Sequence, residues 1–275
     1  MRLVKYMLLG AAVASVAACG DDDGAGPRGP LAMVRFVNAS PDAGAVNFRF
    51  VDELENLPTF INVAFRGSTG LHQQVEAGDR DVRIFFATRD VDSATVRLID
   101  ETITLDAGAF YTLVYTGTVA GDADELLVLE ESIPQDPAAG SIAVRVLHAA
   151  SDLAAVDVYA APSADDPVAN PVATFDGVAF GSSTAYATIP AQSWSGLYEF
   201  AVADAGGTAA SFSASPNNPG AGATATGVSA QAGVRQSGSV LTAVVMPAAV
   251  DGSRAATASN TTPTVVMLLD NIPGT

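Results

Sequence analysis

Residues 34–48 read Val34-Arg35-Phe36-Val37-Asn38-Ala39-Ser40-Pro41-Asp42-Ala43-Gly44-Ala45-Val46-Asn47-Phe48. Residues 144–158 read Val144-Arg145-Val146-Leu147-His148-Ala149-Ala150-Ser151-Asp152-Leu153-Ala154-Ala155-Val156-Asp157-Val158, at a constant offset of 110 with no gap. Self-similarity of this length marks one structural unit present twice. Further along, Val63-Ala64-Phe65 returns as Val178-Ala179-Phe180. The copies also close alike, Leu129-Glu130-Glu131-Ser132-Ile133-Pro134 against Leu268-Leu269-Asp270-Asn271-Ile272-Pro273. Gln135–Ser141, rich in Pro, Ala and Gly, is the natural joint. The organisation is two homologous domains in tandem, 31–137 and 138–275.

Periodicity says what each copy is built from. In AVNFRFV, Val46, Phe48 and Phe50 fall on one face, with Asn47 and Arg49 on the other. In AVDVYA, Val156 and Val158 oppose Asp157 and Tyr159, and DVRIFFA, TVRLID and FYTLVYT alternate likewise. Period two over short runs bounded by Gly, Pro, Asp and Ser is the strand pattern. It predicts strands near 32–38, 45–51, 60–65, 70–76, 81–87, 95–105, 109–116 and 126–131, with a similar series in the second copy. No stretch beyond residue 19 shows a helical stripe. The expected fold class is all-β, two tandem antiparallel β-sandwiches of immunoglobulin-like architecture. The Cys–Trp–Cys hallmark of antibody domains is missing. Ala205–Gly238, crowded with small and polar residues, predicts two weak strands flanking a mobile loop.

Residues 1–19, MRLVKYMLLGAAVASVAAC, have Arg2 and Lys5 at the start and an apolar middle from Met7 to Ala18. That is the layout of a cleaved signal peptide, here 1–18. A membrane-spanning helix needs about 20 apolar residues, and this run stops at Gly20 and three aspartates. Val16-Ala17-Ala18-Cys19 resembles a bacterial lipobox, which implies a lipoprotein whose Cys19 carries palmitate-type acyl chains as a membrane anchor. Cys19 is the only cysteine, so no intramolecular disulfide and no cysteine-based metal site can form. Residues 19–30, the lipidated cysteine and GDDDGAGPRGP, read as a flexible tether. Asp21-Asp22-Asp23 fits a surface-sorting signal and a solvated spacer equally. The expected location is extracytoplasmic, lipid-anchored to the cell envelope, at the outer membrane or cell surface rather than the inner membrane.

Beyond the leader the chain has 11 arginines, no lysine and 30 acidic residues, a net charge of −19. Such a surface is repelled by nucleic-acid backbones, which excludes nucleic acid as a partner. The hydrophobic share of 49% is enough for real cores.

VRFVNASPDAGAVNF and VRVLHAASDLAAVDVY resemble the opening motif, roughly V-R-V-x-H-A-S-P-D-A-P-x-V-D-V-Y, of the bacterial domain of unknown function 4397. The resemblance covers both copies and implies an extracytoplasmic β-domain. The first copy has Asn38 where that pattern has histidine. The second keeps His148 but has Ala150-Ser151 in place of Ser-Pro.

The chemistry-bearing residues are few. Nucleophilic catalysis needs a serine or cysteine beside an oriented base, and the chain holds only His72 and His148, with no G-x-S-x-G elbow. His148 and Asp152 with a nearby serine could be drawn as a triad, but at a strand-to-turn junction such residues more often bond local backbone. Two histidines in different domains cannot close a zinc site. Calcium takes oxygen ligands, and Asp122, Asp124 and Glu125 in an acidic turn are candidates, with Asp165-Asp166 a second turn; a solvated hairpin turn is the simpler reading. Trp194, the only tryptophan, could stack on a sugar or a protein, although a single tryptophan more often caps a sandwich core. The ligand-binding candidates are therefore Trp194, His148 and Asp152. No cofactor is called for. The expected function is a non-enzymatic cell-envelope lipoprotein whose modules serve adhesion, scaffolding or ligand binding, with a protein or carbohydrate partner. The alternatives are a secreted glycan-directed hydrolase using carboxylates and a calcium-stabilised interaction module.

Overall fold

Alternating strands leave one apolar face each, and those faces are satisfied only in pairs of sheets. The computed structural model describes residues 29–52, 60–134, 137–163, 165–192, 197–216 and 233–271. The first unit contains β1 (Leu31–Asn38), β2 (Val46–Phe50), β3 (Phe60–Val63), β4 (Gln73–Glu76), β5 (Gly78–Phe86), α1 (Val91–Ala94), β6 (Arg97–Leu105), β7 (Phe110–Thr116) and β8 (Glu125–Glu131). The second contains β9 (Ser141–His148), β10 (Val156–Pro162), β11 (Ala173–Val178), β12 (Ala187–Pro190), β13 (Tyr198–Asp204), β14 (Phe212–Ala214), β15 (Val240–Met246) and β16 (Thr264–Asn271). No helix among the described residues is long and apolar enough to cross a membrane.

Each unit is a sandwich of two four-stranded sheets. One sheet has the order β4-β1-β7-β8 in the first unit and β12-β9-β15-β16 in the second; the other has β3-β2-β5-β6 and β11-β10-β13-β14. The sandwich expectation holds, and strand pairing is antiparallel except at one place in each unit. There β1 runs parallel to β7, Val34 opposite Tyr111, and β9 runs parallel to β15, Val144 opposite Leu241. The repeat is kept down to irregularities: the β2–β3 and β10–β11 pairs both slip register between the same two positions, Val46/Phe48 and Val156/Val158.

The strand at 70–76 starts later than its pattern suggests, at Gln73. Gly70 sits at φ +81°, and Thr69 Oγ1 accepts the backbone N–H of Phe36 at 3.0 Å in place of a ladder partner. Thr184 Oγ1 does the same for Val146 at 3.0 Å. The single helical turn, α1, is closed by Asp90, whose side chain accepts from Ser93 N at 3.0 Å. In the soft region only β14 is a strand among the described residues, and the expected mobile loop falls largely on 217–232, outside them.

Three cores follow from the alternation. Ala32, Val34 and Phe36 of β1, with Leu113 beside them on β7, pack against Phe48 and Ile84 inside the first sandwich. Val144 and Val146 of β9, with Val245 on the adjoining β15, pack against Val158 and Phe200 inside the second. The intervening residues of the same strands do not face water. Val37 and Val114 of one unit pack against Leu147, Val244, Met246 and Leu268 of the other. The four sheets thus stack in four layers, with β1, β7, β9 and β15 buried on both faces. A fully buried aliphatic side chain contributes about 1.5–3 kcal/mol, so this middle layer holds the two units together with the strength of a core.

Candidate functional site

The motif residues gather at the end of β1 and its counterpart β9. Asn38 donates from Nδ2 to Gly44 O at 2.8 Å and Val63 O at 2.9 Å, and its Oδ1 accepts Ser40 N at 3.2 Å. His148, at the equivalent place, bonds Ala154 O through Nε2 at 2.8 Å and accepts Ala150 N at Nδ1 at 3.2 Å. Asparagine and histidine each offer a donor and an acceptor on one planar group, so either can pin the same loop. Burial pushes the His148 imidazole pKa down, against the upward pull of its bond to the Ala154 carbonyl and of the Asp152 charge. The ring is therefore held neutral, with the proton on Nε2.

Ser40 and Asp42 complete the first loop. Ser40 Oγ donates to Gly117 O at 3.0 Å, and the two Asp42 oxygens each accept a backbone N–H at 2.9 Å, from Val119 and Ala120. The Ser-Pro-Asp turn is a clasp on the β7–β8 loop. Asp152 has no such task and stands exposed. His148 spends both ring nitrogens on backbone and leaves neither for Asp152.

One turn further on, Asn47 Oδ1 accepts Asn62 N at 2.8 Å, and Asp157 accepts Gly177 N at 2.6 Å and Gly206 N at 2.7 Å. Asn62 and Gly177 occupy the same bulge, at φ +54° and +59°. The polar member of the V-[N/D]-[F/V] pattern holds a left-handed residue in the edge strand.

The calcium candidates do not converge. Asp122 is exposed at φ +50°, Asp124 accepts the Tyr115 hydroxyl at 3.0 Å, and Glu125 is exposed at the start of β8. Asp166 accepts Val168 N and Ala169 N in its own turn. Among the described residues no group of three His, Cys, Asp or Glu could hold a metal ion. Cys19 and Trp194 lie outside the described residues.

Strand periodicity does not predict the largest polar constellation. It lies between the two units, where Arg35 and Arg145 meet Glu131 and Asp270. Arg35 Nε donates to Thr112 Oγ1 at 2.7 Å, Nη2 reaches Glu131 Oε1 at 3.2 Å, and Nη1 stands 2.6 Å from Asp270 Oδ1 in the other unit. Arg145 Nε donates to Thr242 Oγ1 at 2.8 Å, and its Nη2 pairs with Glu131 across the junction. Thr112 bonds Glu131, and Thr242 bonds Asp270 at 2.6 Å. His72 Nε2 meets Glu131 Oε2 at 3.0 Å, and the Tyr186 hydroxyl donates to Asp270 Oδ2 at 2.8 Å. The Arg145 guanidinium also lies 4.8 Å over the Tyr186 ring.

Burial alone would raise the Glu131 carboxyl pKa. The bond from His72, the charges of Arg35 and Arg145 and the bond from Thr112 outweigh it and hold the carboxyl well below its ordinary range. Burial of Tyr186, with Asp270 beside it, pushes the phenol far above its usual value. The two arginines balance the two acids, and Asp270 Oδ1 faces the Arg35 guanidinium as an ion pair without a hydrogen bond of its own. The signal for it is present in the repeat: Arg35 recurs as Arg145, and Glu131 recurs as Asp270.

A second reach crosses the junction. Arg66, at φ +63°, donates to Pro247 O at 3.1 Å through Nε and to Thr262 O through Nη2. Its equivalent in the second unit is Gly181, at φ +74°. Phe65 packs there with Ala249 and Ala255.

No curated protein matches the chain. Among solved structures, that of "Alpha-glucan binding by a streptococcal virulence factor" aligns over 62% of this chain and 80% of its own, at 16% identity and a TM-score of 0.20. Residues 32–159, nearly the whole first unit with β9 and the start of β10, match the family model described as Domain of unknown function (DUF4397). That stretch, which carries the motif residues of both β1 and β9, is similar to the DUF4397 family.

Proposed function

We propose that the chain is a non-enzymatic lipoprotein of the cell envelope, anchored through Cys19, whose joined sandwiches serve adhesion, scaffolding or ligand capture outside the cytoplasm. The observation that carries this reading is the use made of histidine. Imidazole is the side chain best suited to move protons near neutral pH. Both histidines of this chain are committed to the fold, His148 to backbone and His72 to Glu131. What remains for function is surface. The ends of β1, β7 and β9 meet at one rim: Thr116 Oγ1 donates to Ala149 O at 3.1 Å, and Val250 N donates to Pro41 O at 2.9 Å. That rim lies at the far end of β1 from the tether, where a protein or carbohydrate partner meets the chain first.

The test uses residues 20–275 on a defined panel of glycans and envelope proteins, followed by both binding and product analysis. Saturable binding that leaves the ligand intact, and that weakens on substituting rim residues such as Asp152 or Val250, supports the reading. Cleavage of a bound glycan, or binding to nothing on the panel, contradicts it. The anchor is checked separately in the full chain. Cys19→Ala is expected to abolish incorporation of labelled fatty acid, and label retained in that variant would remove the lipoprotein part of the proposal.

A further inference from the structure

We propose that the sandwich face carrying Arg35, Thr112 and Glu131 is a self-complementary docking surface for a second sandwich of the same motif, a place the second repeat fills in this chain. Partner roles are exchanged across the junction. In an isologous interface residue i of one partner meets residue j of the other, and j meets i. Here Arg35 meets Asp270, while Arg145 meets Glu131, and the repeat equates Arg35 with Arg145 and Glu131 with Asp270. Thr112 and Thr242 hold the two Nε atoms in the same way. His72 and Tyr186 precede the strands that pair with β1 and β9 at the same register, Gln73 on Val34 and Ala187 on Val144, and each bonds its own unit's acid.

The apolar surround obeys the same exchange. Val37 corresponds to Leu147, Ala39 to Ala149 and Val114 to Val244, and all six share one cluster. A face built this way reads its partner by two features together: the β1 arginine takes a second acid from outside, and the acid at the end of β8 takes a second arginine from outside. The arginine of the V-R-x-x-[N/H]-A motif is thereby assigned to pairing between sandwiches. A wrong partner leaves a buried charge without its counter-ion, so the same network that joins like faces rejects unlike ones.

The experiment places a protease recognition sequence in the joint between Ser132 and Gly140 of the intact chain, cuts it, and measures size by gel filtration with light scattering. Cut wild type is expected to elute as one particle holding both halves; separation into two folded halves would overturn the proposal. Arg145→Glu puts a third carboxylate against Glu131 and Asp270 and is expected to weaken association of the cut halves at least a hundredfold. Arg83→Glu, the same change on the outer sheet, should leave them together. Unaltered association of the cut Arg145→Glu chain overturns the proposal. Should that chain lack folded β signal before cutting, Leu147→Glu on the same face gives the same reading. Self-complementarity itself is tested by Tyr186→His with Asp270→Glu, which gives the second face the polar residues of the first. The cut halves of that chain are expected to stay together, and their separation would overturn the self-complementary pairing.

Discussion

Arg35 and Asp270 are 2.6 Å apart at Nη1 and Oδ1, from opposite ends of the chain, and neither side chain touches solvent. Buried ion pairs are costly to desolvate, and they persist where each charge is compensated by further bonds. Here Arg35 is also held by Thr112 and Glu131, and Asp270 is held through its other oxygen by Thr242 and Tyr186. The network therefore sets which surfaces meet, while the apolar cluster around it supplies most of the attraction.

Removing Glu131 should strand the buried Arg145 guanidinium and leave Arg35 with Asp270 alone. Glu131→Ala is expected to cost about 3–5 kcal/mol in denaturant unfolding, the range for breaking a buried pair from one side. Asp100→Ala, in the exposed cluster with Arg83 and Arg97, should leave the midpoint unchanged. Equal effects from the two substitutions would contradict a structural role for the network.

Acid should act through the same carboxyl. A depressed folded pKa gives stability that is fully present above the unfolded value, about 4.5 for Glu131, and is lost as pH falls from there toward the folded value. The unfolding midpoint of wild type is therefore expected to drop below about pH 4.5, with a shallower drop in Glu131→Gln. An unaltered acid slope in that variant would argue against the assignment.

His148 titrates the opposite kind of group with the same sign. Its pKa is lowered from 6.5 by burial, so the folded chain refuses a proton that the unfolded chain accepts, and stability falls as pH drops below about 6.5. His148→Asn copies Asn38 and should fold at little cost while losing this slope. His148→Ala forfeits two bonds and leaves a space, an expected loss of about 2–4 kcal/mol by thermal unfolding.

Arg66 and Asn62 stand at positive φ where the second unit has Gly181 and Gly177. Glycine relieves that backbone strain, so Asn62→Gly should be neutral or stabilising by up to about 1 kcal/mol. Arg66→Gly gains the same relief but gives up charged bonds to Pro247 and Thr262, and is expected to be net destabilising by about 1–2 kcal/mol. A rise in midpoint for Arg66→Gly would show that the arginine holds nothing across the junction.

Much of the architecture was legible because short-range alternation is a local property. The run FYTLVYT gave β7 within a residue, and the strand expected at 32–38 is β1. The same alternation could not tell which second face meets water. Thr112, Thr116 and Arg35 look like solvent-facing polar positions, and all three are fully buried because another sheet lies over them. That burial depends on a contact between residues more than 200 positions apart, such as Arg35 and Leu269. The parallel pairing of β1 with β7 is equally invisible to local pattern, since it is set by which strand returns beside the first. His148 stands out in the sequence by its rarity, and Asn38 in the same place explains it: the position asks for one donor and one acceptor, and chemistry beyond that is not required.

The polar residues of the repeated motif and of the strand ends β8 and β16 join the two sandwiches, which are therefore expected to unfold together. Scanning calorimetry of the intact chain tests this most directly. One transition, with calorimetric and van't Hoff enthalpies in agreement, is expected for wild type, splitting into two in Arg145→Glu. Two separate transitions in wild type, or a single one unaffected by Arg145→Glu, would contradict it.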